Sequence, residues 1–380
     1  MNDNLKRLLA LLFALTLVAA ACSSDDDEGD DSTDDTEEST DEESSGSDEG
    51  GDEEADTDTV DLTQGDGRLA AVRERGEVIC GGNDTLPGFG IVDDAGEFSG
   101  FDIDFCRVVA AGVLGDANAV QFVPLTAEAR FTALQSGEVD VLIRNTTWTA
   151  TRDGQEGANF LFTTFYDGQG MMVPASTGFT TLEDLADANI CVLSGTTTEL
   201  NLNAVLSARG IPFNPVVFED NNQLRPAYEE GQCEGWTSDA SQLAAFKSSI
   251  EEEGGEEQFI MAEIFSKEPL GPVVADGDTE WAQAVEWSVM ATVQAWEFGL
   301  DSGNIGSYSG DDPNIQNFIG ADGFDPGLGL DPDFAVNVVS QVGNYLEIYD
   351  AHIPGIGLQL EGSPNNIWTE GGLMYVPPYR

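Results

Sequence analysis

The sequence predicts an α/β protein of two lobes joined by two crossovers, on three observations. Strand-length apolar runs alternate with helix-period segments in two separate series, which indicates parallel sheets with helices packed on them. Two glycine-rich extended stretches, residues 166–173 and 267–274, bracket the second series and read as passages between lobes. The apolar run Val141, Leu142, Ile143 ends abruptly in hydroxyls, an amide and two arginines, between Arg144 and Arg152. Ligands of open α/β sheets sit beyond the carboxyl ends of strands, so this cluster marks a candidate site.

At the amino end, Lys6 and Arg7 precede the apolar run Leu8 to Leu17, and Ala19, Ala20 and Ala21 lead to Cys22. A basic start, a short apolar run and small residues describe a secretory signal peptide over residues 1–21. The run is too short to span a bilayer comfortably. Residues 23–60 are almost wholly Asp, Glu, Ser, Thr and Gly. Such a segment cannot bury enough surface to offset its ordering entropy, and its like charges extend it, so residues 22–60 are expected to form a stretched, disordered tether. Residues 25–58 hold 20 acids and no base, yet residues 61–380 still carry 50 acids against 12 Lys plus Arg. This balance disfavours nucleic-acid binding, which needs basic patches. It suits a saline environment, where self-repulsion is screened, and fits an ordinary acidic secreted protein equally well.

In the folded part, residues 68–75 read as a helix that Gly76 ends. A strand over 77–80 enters a glycine-rich loop, 81–90, where backbone can approach a ligand and Phe89 can wall it. The loop lacks the glycine spacing and Gly-Lys-Ser/Thr ending of a phosphate loop. Residues 101–114 place Phe101, Ile103, Phe105, Val108, Val109 and Val113 at helical spacing, with Gly115 as the stop. A strand over 120–123 follows; Thr126 then caps a helix over 127–136 that Gly137 closes. In the second series Thr181 caps residues 182–188, and 190–193 form a strand. Ser194 to Glu199 open a helix ending near Gly210, with Thr196 and Glu199 at capping-box spacing. A strand over 215–218, a helix over 223–230, a strand over 233–237 and a helix over 241–250 complete that lobe. Helices over 279–298 and 332–345 lie beyond the return passage.

Arg152 offers a planar fork of donors that matches a carboxylate bidentately. The helix start at Ser194 to Thr198 adds free N–H groups, a positive dipole end and three threonine hydroxyls, which also suit a carboxylate. Asp239, just past a strand, is the acceptor for an ammonium group, although capping the helix that follows explains it equally well. Besides Cys22 there are four cysteines, Cys80, Cys106, Cys191 and Cys233. An even number in an exported chain favours two disulfides, with three connectivities open. Pairing within lobes, Cys80–Cys106 and Cys191–Cys233, leaves the lobes free to move. No spacing suggests zinc. His352 is the only histidine and there is no Gly-x-Ser-x-Gly elbow, so enzyme readings are poorly supplied and no catalytic residue or cofactor is expected.

Several segments resemble the general L-amino-acid-binding proteins, the receptors of polar amino-acid ABC importers. They include Gly100-Phe-Asp-Ile-Asp-Phe-Cys-Arg107, Arg144-Asn-Thr-Thr-Trp-Thr149, Tyr166-Asp-Gly-Gln-Gly170, Ser194-Gly-Thr-Thr-Thr-Glu-Leu-Asn201 and Gly371-Gly-Leu-Met-Tyr-Val-Pro-Pro378. The likeness runs over nearly all of residues 62–380. It implies a type II periplasmic-binding-protein-like fold, with residues 61–168 and 272–380 as lobe one and 169–271 as lobe two. It also implies a monomer that closes over a free L-amino acid and delivers it to the membrane subunits of an ABC permease. The leader resembles a lipoprotein signal in which Cys22 carries the lipid, anchoring the chain to the outer face of the cytoplasmic membrane. Arg152 matches the arginine that clamps the ligand carboxylate, Thr147 its hydroxyl partner, and Asn145 offers backbone beside them. Asp239 matches the acid that holds the α-ammonium, and Thr196, Thr197 and Thr198 the second-lobe contacts. Asn83 and Phe89 lie where first-lobe contacts occur. Ala127 stands where shorter relatives carry an aromatic, which implies a roomier pocket. Two other classes stay open: a sensory lipoprotein that binds without transport, and a secreted enzyme on the same bilobed scaffold.

Overall fold

The computed structural model describes residues 67–380; the leader, Cys22 and the acidic tether lie outside the described residues. The first series of strands comprises β1 (Val78–Gly82), β2 (Thr85–Leu86), β3 (Gly90–Val92), β4 (Phe98–Ser99), β5 (Val120–Pro124), β6 (Val141–Leu142) and β7 (Ala158–Phe160). The chain then passes through β8 (Phe165–Asp167) into β9 (Gln169–Pro174), β10 (Asn189–Leu193), β11 (Asn214–Phe218), β12 (Gly235–Asp239) and β13 (Gln258–Ile260), and returns through β14 (Glu268–Leu270) into β15 (Val273–Ala275).

Two five-stranded sheets result, ordered β5-β1-β6-β15-β7 and β11-β10-β12-β9-β13. In the first, β1 runs parallel to β5 and β6, and in the second, β10 runs parallel to β11 and β12. The strand that follows each passage enters its sheet antiparallel: β9 against β12, and β15 against β6 and β7. Each sheet with its helices makes a lobe. Between the lobes, β8 and β14 pair antiparallel, with Phe165 opposite Leu270 and Asp167 opposite Glu268.

The helix Phe101–Leu114 buries most of its length and ends at Gly115 in the left-handed region, φ 73°. Other expected elements shift. The helix expected from residue 127 starts at Arg130, because Thr126 Oγ1 accepts from Ala129 N (3.2 Å) and holds residues 127–129 as a turn. The strand expected over 233–237 runs two residues later, so Asp239 is its last residue. The single helix expected over 332–345 is two, Phe334–Gln341 and Tyr345–His352. Gly343 breaks it at φ 119°, and Asn344 and Glu347 start the second by exchanging side-chain-to-backbone hydrogen bonds.

The C-terminal part packs on the passage through β8. Tyr345 Oη donates to Thr164 O (2.9 Å), and the Asn365 side chain bonds both the N–H and the C=O of Tyr166 on β8. Cys80 is bonded to Cys106 and Cys191 to Cys233, each bridge lying within one lobe. For loops of 26 and 42 residues, restricting the unfolded chain contributes about 3–4 kcal/mol each in the chain-entropy account.

Candidate ligand-binding crevice

The carboxyl end of β6 supplies most of the first-lobe side of the crevice. After Ile143 the chain turns at Asn145, a non-glycine residue at φ 29°. Its N–H donates to Asp102 Oδ2 (2.8 Å), and its side-chain amide reaches across the crevice to donate to Asp239 Oδ2 (3.2 Å). The Asn145 N–H is thus committed within its own lobe, and the side chain is what reaches lobe two. Burial pushes the Asp102 carboxyl up to about 7, against the Asn145 N–H and Arg144.

Thr149 caps the short helix Ala150–Gln155 by accepting from Arg152 N (3.2 Å), which fixes where Arg152 leaves the chain. The Arg152 guanidinium donates to Thr147 O (3.0 Å) and, across the crevice, to Gly195 O (3.4 Å). Arg130 donates to the same Gly195 carbonyl (3.4 Å), and its Nε has no partner among the described residues. Both guanidiniums lie over the Phe131 ring, at 5.3 Å for Arg152 and 5.2 Å for Arg130, a favourable cation–π geometry.

Lobe two contributes the start of the helix Thr197–Arg209. Thr196 is its N-cap and accepts from Glu199 N (3.1 Å); Thr198 Oγ1 donates to Thr196 Oγ1 (2.9 Å). Glu199 turns its carboxylate to Gly195 N rather than to Thr196 N, so the expected capping box is half formed. Thr197 Oγ1 donates to Glu268 Oε2 (2.7 Å) on β14 and stands 3.3 Å from Thr147 Oγ1 across the crevice. Asp239 makes no hydrogen bond to the helix it precedes, so capping does not account for it. Its carboxylate is 5% exposed; burial first, then Asp167 and Glu268, push its pKa well up, against Asn145 and Arg130.

Arg130, Arg144, Asn145, Thr147, Thr196, Thr197, Thr198 and Asp239 thus line one internal space of about 20 Å³, the room of about one water. Arg152 lines an adjoining outer chamber of about 440 Å³, which shares Ala127, Thr196 and Thr197 with the inner space. Asn83 is buried and lines a third chamber of about 200 Å³ that shares Arg144. Phe89 is elsewhere. Its ring is fully buried against Phe101 (5.9 Å) and Phe165 (5.2 Å), because the hairpin of β2 and β3 folds it into the lobe-one core.

Electrically the crevice is unusual. Among the described residues no carboxylate lies within 4.0 Å of Arg130, Arg144 or Arg152. Burial is the largest influence on all three, drawing Arg130 well below its usual value, Arg144 down to about 10 and Arg152 downward. Two buried cations, Arg130 and Arg144, and one buried acid, Asp239, line the inner space, and a third buried cation, Arg152, lines the adjoining chamber, an arrangement that favours an anion carrying one positive charge. Sequence reasoning missed Arg130 and gave Arg144 no role beyond its place in the strand-end cluster. A signal existed for Arg130: a basic residue at a helix N-terminus opposes the helix dipole and calls for another reason to be there.

Residues 78–295 match the model of the bacterial extracellular solute-binding proteins, family 3. The chain belongs to this family. Similarity extends well beyond the matched segment. The chain is 43% identical over 319 residues to a general L-amino acid-binding periplasmic protein of Rhizobium johnstonii, covering 82% of this chain and 92% of the relative. It is 44% identical over 317 residues to a glutamate/glutamine/aspartate/asparagine-binding protein of Rhodobacter capsulatus, covering 82% and 93%. A solved ABC transporter periplasmic binding protein from Brucella ovis with glutathione bound superposes with a TM-score of 0.77 at 41% identity, covering 82% of this chain and 99% of that one. The fold is that of the type II periplasmic binding proteins. These relatives are named as binding proteins, and the crevice residues from Asn83 to Asp239 fall inside the family match.

Proposed function

We propose that the protein is an extracytoplasmic receptor that captures L-amino acids, polar ones across a broad range, and delivers them to an ABC permease without catalysing a reaction. The observation that carries this reading is the placement of Arg152 on lobe one and Asp239 on lobe two, both buried and neither in an ion pair among the described residues. An α-amino acid is the small molecule that supplies a carboxylate to one and an ammonium to the other, so that no charge is desolvated unpaired. Because its two partners belong to different lobes, the ligand stabilises the closed arrangement by its differential affinity. An inner space of about one water's volume supports the same view: ligand entry needs the lobes to separate about the β8–β14 pair, with residues 61–168 and 272–380 moving against 169–271. Cys22, lipidated, anchors a monomeric receptor to the outer face of the cytoplasmic membrane through the acidic tether.

Equilibrium dialysis against labelled L-glutamate tests the site. Asp239→Asn keeps the shape and removes the charge, and it lowers affinity by about 100-fold or more, because a desolvated charge pair loses one partner. Near-wild-type retention of ligand by this variant contradicts the assignment. A second reading, a larger γ-glutamyl peptide such as the glutathione named for the Brucella ovis receptor, is favoured by one feature: the outer chamber of about 440 Å³ adjoins the inner space at the shared residues Ala127, Thr196 and Thr197.

A further inference from the structure

Arg144 has no assigned task, and its surroundings give it one. It follows β6 by two residues and is 6% exposed. Its Nε is fixed by Leu125 O (2.7 Å), which aims the guanidinium, while its two terminal nitrogens have no hydrogen-bond partner among the described residues. Asp102, Asp84 and Asp239 attract it and Arg152 repels it, yet none of these acids comes within ion-pair distance. Arg144 lines the inner space and also the chamber bounded by Asn83, Thr85 and Asn221. Arg152 lines a chamber that shares no residue with that one. The two arginines therefore stand toward different ends of one crevice, with Asp239 on the space between them.

We propose that Arg144 is the specificity-determining residue that reads the ligand's side chain, selecting amino acids whose side chains end in a carboxylate or an amide carbonyl. The inference rests on the amino-acid reading above. With the α-carboxylate on Arg152 and the ammonium on Asp239, the side chain is left facing the Arg144 end. There a fixed, buried fork with two unused donor nitrogens gains a partner from a carboxylate or carbonyl oxygen. It gains nothing from alanine and repels lysine. The amides bordering the neighbouring chamber, Asn83 and Asn221, are partly occupied. Asn83 Oδ1 accepts from Thr85 N, and the Asn221 side chain donates to Thr85 Oγ1 and accepts from Gln242 Nε2, so of the three groups on that chamber Arg144 has the most capacity to spare.

The test is calorimetry on the full-length protein and on Arg144→Gln, each against L-glutamate, L-glutamine, L-alanine and L-lysine. Wild type ranks glutamate and glutamine above alanine and lysine. In Arg144→Gln the glutamate affinity falls about tenfold to hundredfold, the range of a hydrogen bond to a charged group, while alanine changes by less than about threefold. A parallel fall for glutamate and alanine assigns Arg144 a merely structural role and overturns the proposal, as does no change in either. If Arg144→Gln does not fold, the wild-type ranking still decides: lysine bound as tightly as glutamate refutes selection by a cation. Alanine binding by wild type reads the receptor assignment separately, so loss of selectivity and loss of the receptor reading are distinguishable.

Discussion

Asp102 holds the turn on which the crevice depends. Buried at 3% exposure, it accepts the Asn145 N–H at a residue whose φ of 29° needs a reason to persist. Its pKa is raised from the ordinary carboxylate value to about 7, with burial as the chief cause. A group whose folded pKa lies above its unfolded one contributes stability that is fully present below the unfolded value, near 3.8, and lost as pH rises through the folded value, about 7. Asp167, raised to about 6, and Asp239 act with the same sign. The melting temperature of the ligand-free protein therefore falls as pH is taken from 5 to 7. Asp102→Asn, a neutral mimic of the protonated acid, makes that fall smaller. An unchanged slope in thermal melts of the variant contradicts this account of Asp102. At this scale the sequence was legible where a residue's position at a strand end announced it, as for Thr147 and Asp239. Phe89 was not. Nothing in a glycine-rich loop reveals that its one aromatic turns inward to Phe101 and Phe165 rather than outward to a ligand.

The turn before the helix Thr197–Arg209 is an element of lobe two that touches lobe one. Gly195 sits there at φ 67°, its carbonyl accepts from both Arg130 and Arg152, and a Cβ on it would stand 2.9 Å from Glu128 Cα of lobe one. Gly195→Ala therefore meets two obstacles: a left-handed backbone that costs about 1–2 kcal/mol for a non-glycine residue, and a backbone clash present only when the lobes touch. The variant binds L-glutamate about tenfold more weakly or worse, and small-angle scattering with saturating ligand finds it more extended than wild type. Wild-type affinity with a wild-type scattering profile contradicts the close approach. Elements marked by periodicity and a terminal glycine, such as Phe101–Leu114, were plain from sequence. The helix expected from residue 127 and the one expected over 332–345 were misjudged for a common reason. Thr126 and Asn344 take local side-chain-to-backbone hydrogen bonds that reset where a helix begins, and apolar spacing does not report them.

Over the whole molecule, the alternation of strand and helix, interrupted twice, foretold two α/β lobes, but not how β9 and β15 would enter their sheets. That direction follows from the passages themselves: a chain leaving one lobe beside β8 reaches the next sheet running against its parallel strands. The formal net charge of −57 bears on the whole chain as well. Self-repulsion among exposed carboxylates weakens as added salt shortens the Debye length from about 10 Å at 0.1 M to about 3 Å at 1 M. Thermal melts in sodium chloride over that range are expected to shift upward by several degrees; a downward shift would mean that attractive surface pairs, such as Arg209 with Glu263 and Arg225 with Glu253, dominate. The claim on which the rest depends is that one zwitterion joins Arg152 to Asp239. Calorimetry of the protein, unfolded and refolded to remove carried-over ligand, against the common L-amino acids tests it most directly. The account predicts one-to-one binding of several polar amino acids, lost in Arg152→Ala with the fold intact. Absence of heat with all of them, in low and in high salt, would contradict it.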